Sequence, residues 1–140
     1  MGLRAAYLAD KSALARMTKD AVASRLAPLL LEGKVATCPM IDLELGFSAR
    51  SSADYEGLRT ERAGLESAPM GEEAFDRALE VQRELARREH HRGASLPDLL
   101  IAATAERAHL VVLHYDSDFD RIAAITGQSV EWVVPRGTVD

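Results

Sequence analysis

The stretch GASLPDLLIAATAERAHLVVLHYDSDFDRIA, residues 93–123, decides how this chain folds. Pro97 belongs in the first turn of a helix, where its missing N–H costs nothing, and an alanine-rich apolar run carries that helix to about Ala108. LVVL (110–113) follows as a short continuous apolar run, the pattern of a strand buried on both faces of a parallel sheet. SDFDRIAAITG then starts a second helix, with Gly127 as its stop. Asp98 opens the first apolar run, and Asp116, Asp118 and Asp120 close the second. Carboxylates are the groups that cost most to desolvate, so their place at the ends of the most apolar segments calls for a compensating partner.

Outward from this unit, the same alternation continues. AAYLA (5–9) is a strand candidate followed by helical SALARM, and residues 20–33 form a helix despite Pro28, capped by Gly33. KVAT (34–37) is a brief strand, and Pro39 opens the helix PMIDLELGFSAR. A polar helix spans residues 51–64, LESAPM (65–70) is a weak edge strand, and Phe75, Ala78, Leu79, Leu85 and Ala86 mark the apolar stripe of a helix running from Glu72 to about Arg88. VEWVV (130–134) is the last strand, with Trp132 assigned to the core. Strands alternating with helices predict an α/β fold: a single three-layer α/β/α domain over residues 1–140 with a mostly parallel sheet of about five strands. In such sheets ligands bind beyond the carboxyl ends of the strands.

Composition narrows the function classes. Hydrophobic residues are 47% and charged residues 28%, an ordinary globular balance, and no apolar run approaches the roughly 20 residues of a membrane span. Asp10 and Lys11 interrupt the N-terminal apolar stretch before it reaches signal-peptide length, so a cytoplasmic protein is expected. The one cysteine, Cys38, excludes an internal disulfide and a cysteine zinc site, and reads as a small buried residue. With 22 acids against 17 bases the net charge is −5, so no global basic field advertises a polyanionic ligand, although a bound cation would reverse the local sign. There is no Gly-rich phosphate loop and no G-x-S-x-G serine elbow.

Asp10 directly follows the first strand and Asp116 the strongest one, so both lie at the binding edge if those strands are neighbours. Asp98 has a plain alternative role as a helix-start acid favoured by the macrodipole. Glu44 is less ordinary: on a helix its neighbours at three and four positions are Met40, Ile41, Phe47 and Ser48, a largely apolar stripe. Asp42 lies about 200° away around the same helix and has the role of a first-turn acid. Acids brought together from distant segments would repel or take up protons, and a hard divalent cation, Mg²⁺ or Mn²⁺, resolves the conflict.

YLADKSAL, PMIDLELG, GASLPDLLIAATA and VVLHYDSDF also resemble the four acidic signatures of PIN-domain nucleases, and most of all the VapC-type toxins of bacterial toxin–antitoxin pairs. The resemblance implies a Mg²⁺- or Mn²⁺-dependent endoribonuclease, homodimeric, silenced by a cognate antitoxin. By position Asp10, Glu44, Asp98 and Asp116 match the family's catalytic and metal-binding quartet, Asp118 a further acid, and Ser12 the small hydroxyl residue of the first motif. Two positions depart from the pattern. Lys11 stands where Thr or Ser is usual, placed either to contact a substrate phosphate or to pair with a carboxylate; His114 stands where Thr is usual. The resemblance also puts the antitoxin against the polar helix after residue 50 and its bordering groove, with a partner arginine reaching the acids, and the dimer contact within residues 39–62.

RELARREHHRGAS (83–95) gathers bases just ahead of Asp98. Arg92 and His91, with His90, are the candidates for a rim that holds RNA phosphates, against the plainer reading of a solvated helix face with a Glu84–Arg88 pair. Two rival functions remain at this level. A receiver-like phosphoacceptor needs a late lysine, and none follows Lys34. A catalytically silent dimerisation module is kept open by Lys11 and His114.

Overall fold

The computed structural model describes residues 2–140. In chain order the elements are β1 (Tyr7–Ala9), α1 (Lys11–Leu14), α2 (Asp20–Leu31), β2 (Val35–Ala36), α3 (Pro39–Phe47), α4 (Ser52–Ala63), α5 (Glu72–Arg87), α6 (Leu96–Ala108), β3 (Val111–His114), α7 (Asp118–Thr126) and β4 (Val130–Trp132). The sheet is wholly parallel in the order β2-β1-β3-β4. β1 and β3 are direct neighbours, with Ala9 opposite Leu113, so the residues that follow each emerge side by side at one edge.

Period-two alternation separates the faces. Leu8 and Val112 pack with Ile41, Ile101, Phe119 and Ile122 of α3, α6 and α7 on one side. Ala9, Val35 and Leu113 pack with Val22 and Leu26 of α2 on the other. The three layers expected from sequence are therefore present. Among the described residues no helix is long and apolar enough to cross a membrane.

The sheet has four strands rather than about five. LESAPM contributes only a single bridge, Ser67 to Thr37, closed by Thr37 N–H to Glu66 O and Ala68 N–H to Thr37 O. SALARM shrinks to the four-residue α1. The α5 stripe is rotated from the predicted one: Ala74, Ala78, Val81 and Leu85 are buried, whereas Phe75 and Leu79 are exposed. That helix carries two adjacent apolar rows, and the row with the smaller residues fits against α6. On α3 only Ile41 is fully buried and Phe47 is 90% exposed, so the stripe around Glu44 is not a core stripe.

Polar α4 buries none of its residues and is held by other means. Arg62, whose side chain is 10% exposed, donates to Asp42 Oδ1 at 3.1 Å and to Thr37 Oγ1 at 2.6 Å. Asp42 is thus more than a first-turn acid; it ties α4 to α3. Gly46 permits their close approach, since a Cβ there would lie 2.8 Å from the Tyr55 ring.

Candidate active site

Asp10 leaves β1 and caps α1, a role its extended backbone and short carboxylate suit. Its Oδ2 accepts from Ser12 N–H at 2.9 Å and from Ser12 Oγ at 2.6 Å. The Ser12 hydroxyl in turn accepts from Tyr115 N–H at 2.8 Å, so it braces Asp10 against the chain leaving β3. Asp10 Oδ1 is buried and has no hydrogen-bond partner. Burial raises the Asp10 pKa, hydrogen bonds from Ser12 oppose the rise, and the charge of Asp116 adds to it.

β3 ends on His114, wholly buried against Phe119 and Trp132. Its Nδ1 accepts from Asp116 N–H at 3.1 Å, and Asp116 Oδ1 accepts from Asp118 N–H at 2.9 Å. Two successive turns therefore aim both carboxylates at the same space. With Nδ1 accepting, the proton belongs on Nε2, which has no partner within hydrogen-bond reach. Burial keeps this imidazole neutral by lowering its pKa.

Asp98 enters from the first turn of α6, whose cap Ser95 accepts Asp98 N–H at 3.3 Å. It is 5% exposed, and burial, followed by the charges of Asp10 and Asp116, pushes its pKa up to about 9. Carboxylate oxygens of Asp98, Asp116 and Asp118 lie within 4.8 Å of one another. Glu44 reaches in from α3 with Oε1 buried and unpartnered. Its pKa is raised by burial and then by Asp10, with Lys11 acting in the opposite direction. Lys11 therefore lies within electrostatic reach of Glu44.

The five acids singled out in the sequence thus converge, in two tiers. Asp98, Asp116 and Asp118 form the tight group, and Asp10 and Glu44 flank it with one bare oxygen each. Bare buried carboxylate oxygens beside three further carboxylates suit a hard divalent cation, which accepts oxygen ligands from Asp and Glu and neutralises their repulsion. Arg92, His91 and His90 are exposed and border an open depression that reaches Asp118, while Arg87 and Arg88 pair with Glu84 on the helix surface.

Sequence reasoning missed Arg121. Its guanidinium donates to Asp118 Oδ1 at 2.9 Å and to Gly93 O at 3.0 Å, clamping the loop before α6 to α7. The i,i+3 spacing from Asp118 was the available signal. It also misplaced Trp132, which is partly exposed near Asp116 instead of being core. As the last residue of an edge strand, Trp132 has α7 on one side only, and Asp120 Oδ2 accepts its Nε1–H at 3.1 Å.

A parallel-sheet domain with an acidic centre at the carboxyl edge of its two middle strands defines the class. The PIN domain family matches residues 7–125 of this chain. The chain is 49% identical over 133 residues to Ribonuclease VapC21 of Mycobacterium tuberculosis, spanning 94% of this chain and 96% of that one. It is 44% identical over 135 residues to Ribonuclease VapC18 of the same organism, spanning 95% and 98%. In fold it superposes on DNA-bound VapBC from Salmonella typhimurium with a TM-score of 0.71 at 20% identity, covering 93% of this chain and 99% of that chain. This chain belongs to the PIN domain family, among the VapC proteins.

Proposed function

We propose that this protein is a divalent-metal-dependent endoribonuclease, the toxin of a toxin–antitoxin pair, silenced by a cognate antitoxin. The observation that carries the reading is the mutual approach, within 4.8 Å, of Asp98, Asp116 and Asp118 beside the unpartnered oxygens of Asp10 and Glu44. The VapC ribonucleases at 44–49% identity supply the substrate class.

Asp10, Asp98 and Asp116, with Glu44 and Asp118 beside them, would hold Mg²⁺ or Mn²⁺. When bound, such an ion lowers the pKa of a coordinated water and offsets charge on a phosphoryl oxygen. Glu44, whose pKa is raised, is suited to take on its bare Oε1 the proton of a water whose oxygen bonds to phosphorus, while the bond from phosphorus to the ribose oxygen breaks and that oxygen takes a proton from solvent. Ser12 orients Asp10, and Lys11 stands beside Glu44 to meet a phosphate oxygen as a point charge. His91 and Arg92 hold the RNA backbone at the Asp118 side.

Two exposed apolar surfaces support two protein contacts. Leu43, Phe47 and Tyr55 occupy α3–α4, within the segment expected to dimerise, and Phe75, Leu79 and Leu96 border a groove on α5–α6. The structural neighbours include VapBC complexes, which supports an antitoxin as one partner.

The test is cleavage of a mixed structured RNA pool at low salt, titrating Mg²⁺ and Mn²⁺, with Asp98→Asn alongside. Metal-dependent cutting by the wild type that the variant loses is the expected result. An unchanged rate in Asp98→Asn, or a rate untouched by EDTA, overturns the metal-nuclease reading.

A further inference from the structure

A second open pocket, of about 540 Å³, reaches Asp116, shares no lining residue with the depression at His91 and Arg92, and is bounded by Ser12, Arg16, Tyr115, Asp116, Trp132 and Arg136. It contains what the other rim lacks, a tryptophan ring, here beside the guanidinium of Arg136. We propose that this pocket binds the single-stranded RNA flank on one side of the cleaved bond, with a base against the Trp132 indole and a phosphate on Arg136. The proposal rests on the ribonuclease reading and names the part of the substrate this surface takes.

The pocket is built, not incidental. Trp132 is fixed by its hydrogen bond to Asp120 and by its packing on His114, with ring centres 5.0 Å apart. Tyr115 meets the indole edge-on, with centres 5.2 Å apart. The Tyr115 hydroxyl accepts from Gly137 N–H at 2.9 Å and donates to Val139 O at 2.7 Å, which folds the C-terminal segment back to form the far wall. Arg16 lies 4.7 Å from the Tyr115 ring centre and donates to Asp140 O and Ser12 O, adding positive charge while locking that wall.

Arg136 is the exception among these groups. It is exposed, makes no ion pair or hydrogen bond among the described residues, and rests 5.7 Å from the Trp132 ring centre. At that distance and exposure the cation–π contact is weak, so a phosphate can draw the guanidinium away and free the indole for a base. Stacking on an aromatic ring is indifferent to base identity and requires an unstacked strand, which selects single-stranded RNA over a duplex.

The two basic borders also have the right relation to the acids. One depression ends on Asp118 and holds Arg92, His91 and Arg121; the other ends on Asp116 and holds Arg16 and Arg136. Asp116 and Asp118 are two residues apart, joined by the 2.9 Å bond from Asp118 N–H. Each depression thus joins one acid of the centre to positive charge that a strand reaching it would meet, in a protein whose net charge is −5.

Trp132 is the single tryptophan of the chain, so its emission reports this pocket alone. Asp98→Asn protein with Mg²⁺ is titrated with a short single-stranded RNA of mixed sequence, and binding is followed in parallel by anisotropy of an end-labelled strand. The expected result is a saturable, salt-sensitive change in Trp132 emission that the same RNA as a blunt duplex does not give, with an affinity about tenfold weaker in Arg136→Ala. In the active protein Arg136→Ala raises KM by about tenfold and leaves kcat largely unchanged. Because Trp132→Ala also removes packing on His114, exposed Arg136 is the deciding variant. Anisotropy showing RNA bound with unaltered Trp132 emission, or an unchanged KM in Arg136→Ala, overturns the subsite while leaving the nuclease intact. A wild type that neither binds nor cuts RNA overturns both. Emission that changes with a protein partner and not with RNA assigns the pocket to that partner and overturns the proposal.

Discussion

The Nδ1 atom of His114 accepts the backbone N–H of Asp116 at 3.1 Å, so a buried imidazole at the end of β3 sets the turn that presents a carboxylate to the site. A Thr hydroxyl or an Asn carbonyl can accept the same bond two residues on, the geometry of an ST- or Asx-turn. His114→Asn is therefore expected to keep most metal affinity, whereas His114→Leu, which fills the space and leaves the Asp116 N–H unsatisfied, loses it. The missing acceptor costs on the order of 1–3 kcal/mol. Calorimetric Mn²⁺ binding to both variants checks this, and equal affinities would show that the bond does not position Asp116.

The stability of the metal-free protein should fall as pH rises. Asp98 has its pKa pushed up to about 9, and Asp10 and Glu44 are raised too, each by burial first. A folded-state pKa above the unfolded one means that the folded protein binds more protons between about pH 4 and about pH 9, so the contribution is full at the acidic end and lost through that window. Buried His114, with its pKa lowered, contributes in the opposite sense below about pH 6.5, so melting temperatures in EDTA should decline above that pH, and Asp98→Asn should flatten the decline. Saturating Mg²⁺ should flatten it as well, because the ion replaces the proton as the counter-charge. A wild-type curve that rises from pH 7 to pH 9 in EDTA would contradict this account.

Much of this arrangement was legible in the sequence because it depends on one-dimensional order. Asp10 and Asp116 follow apolar strands directly, and Pro97 and Ser95 fix the start of the helix that carries Asp98. Periodicity could not tell which of two adjacent rows on α5 would face inward, so Phe75 and Leu79 were misassigned. Nor could it show that β4 lies at the sheet edge, which leaves Trp132 partly exposed. Arg62 and Asp42 are 20 residues apart, and their bond arises from the approach of α3 and α4 at Gly46, a tertiary fact with no local signature.

That bond carries its own expectation. Arg62 is nearly buried and holds an α4 that buries no residue of its own, so Arg62→Met should unfold at lower temperature by an amount equivalent to about 1–3 kcal/mol, the cost of leaving Asp42 and Thr37 short of a donor. Asp42 points away from Glu44 on α3, so Mn²⁺ affinity of the folded variant should stay near wild type. A calorimetric titration well below the melting point separates the two effects, and a parallel loss of metal binding would mean that α4 braces Glu44 as well.

Arg121 sets an opposite expectation at the site itself. Its guanidinium donates to Asp118 Oδ1 at 2.9 Å, so it offsets one of the three clustered carboxylates. Asp118 keeps a second tether, the 3.1 Å bond from Ser95 N–H to Oδ2, and should remain in place when the arginine is removed. Arg121→Gln then leaves an uncompensated charge beside Asp98 and Asp116, which destabilises the metal-free protein and increases the attraction for a divalent ion. The melting temperature should drop in EDTA, and the rise on adding Mn²⁺ should exceed that of the wild type. Both changes should shrink in high salt to the extent that the exposed side of the pair is screened. A smaller Mn²⁺ shift than in the wild type would show that Arg121 holds Asp118 in ligating position more than it competes for its charge.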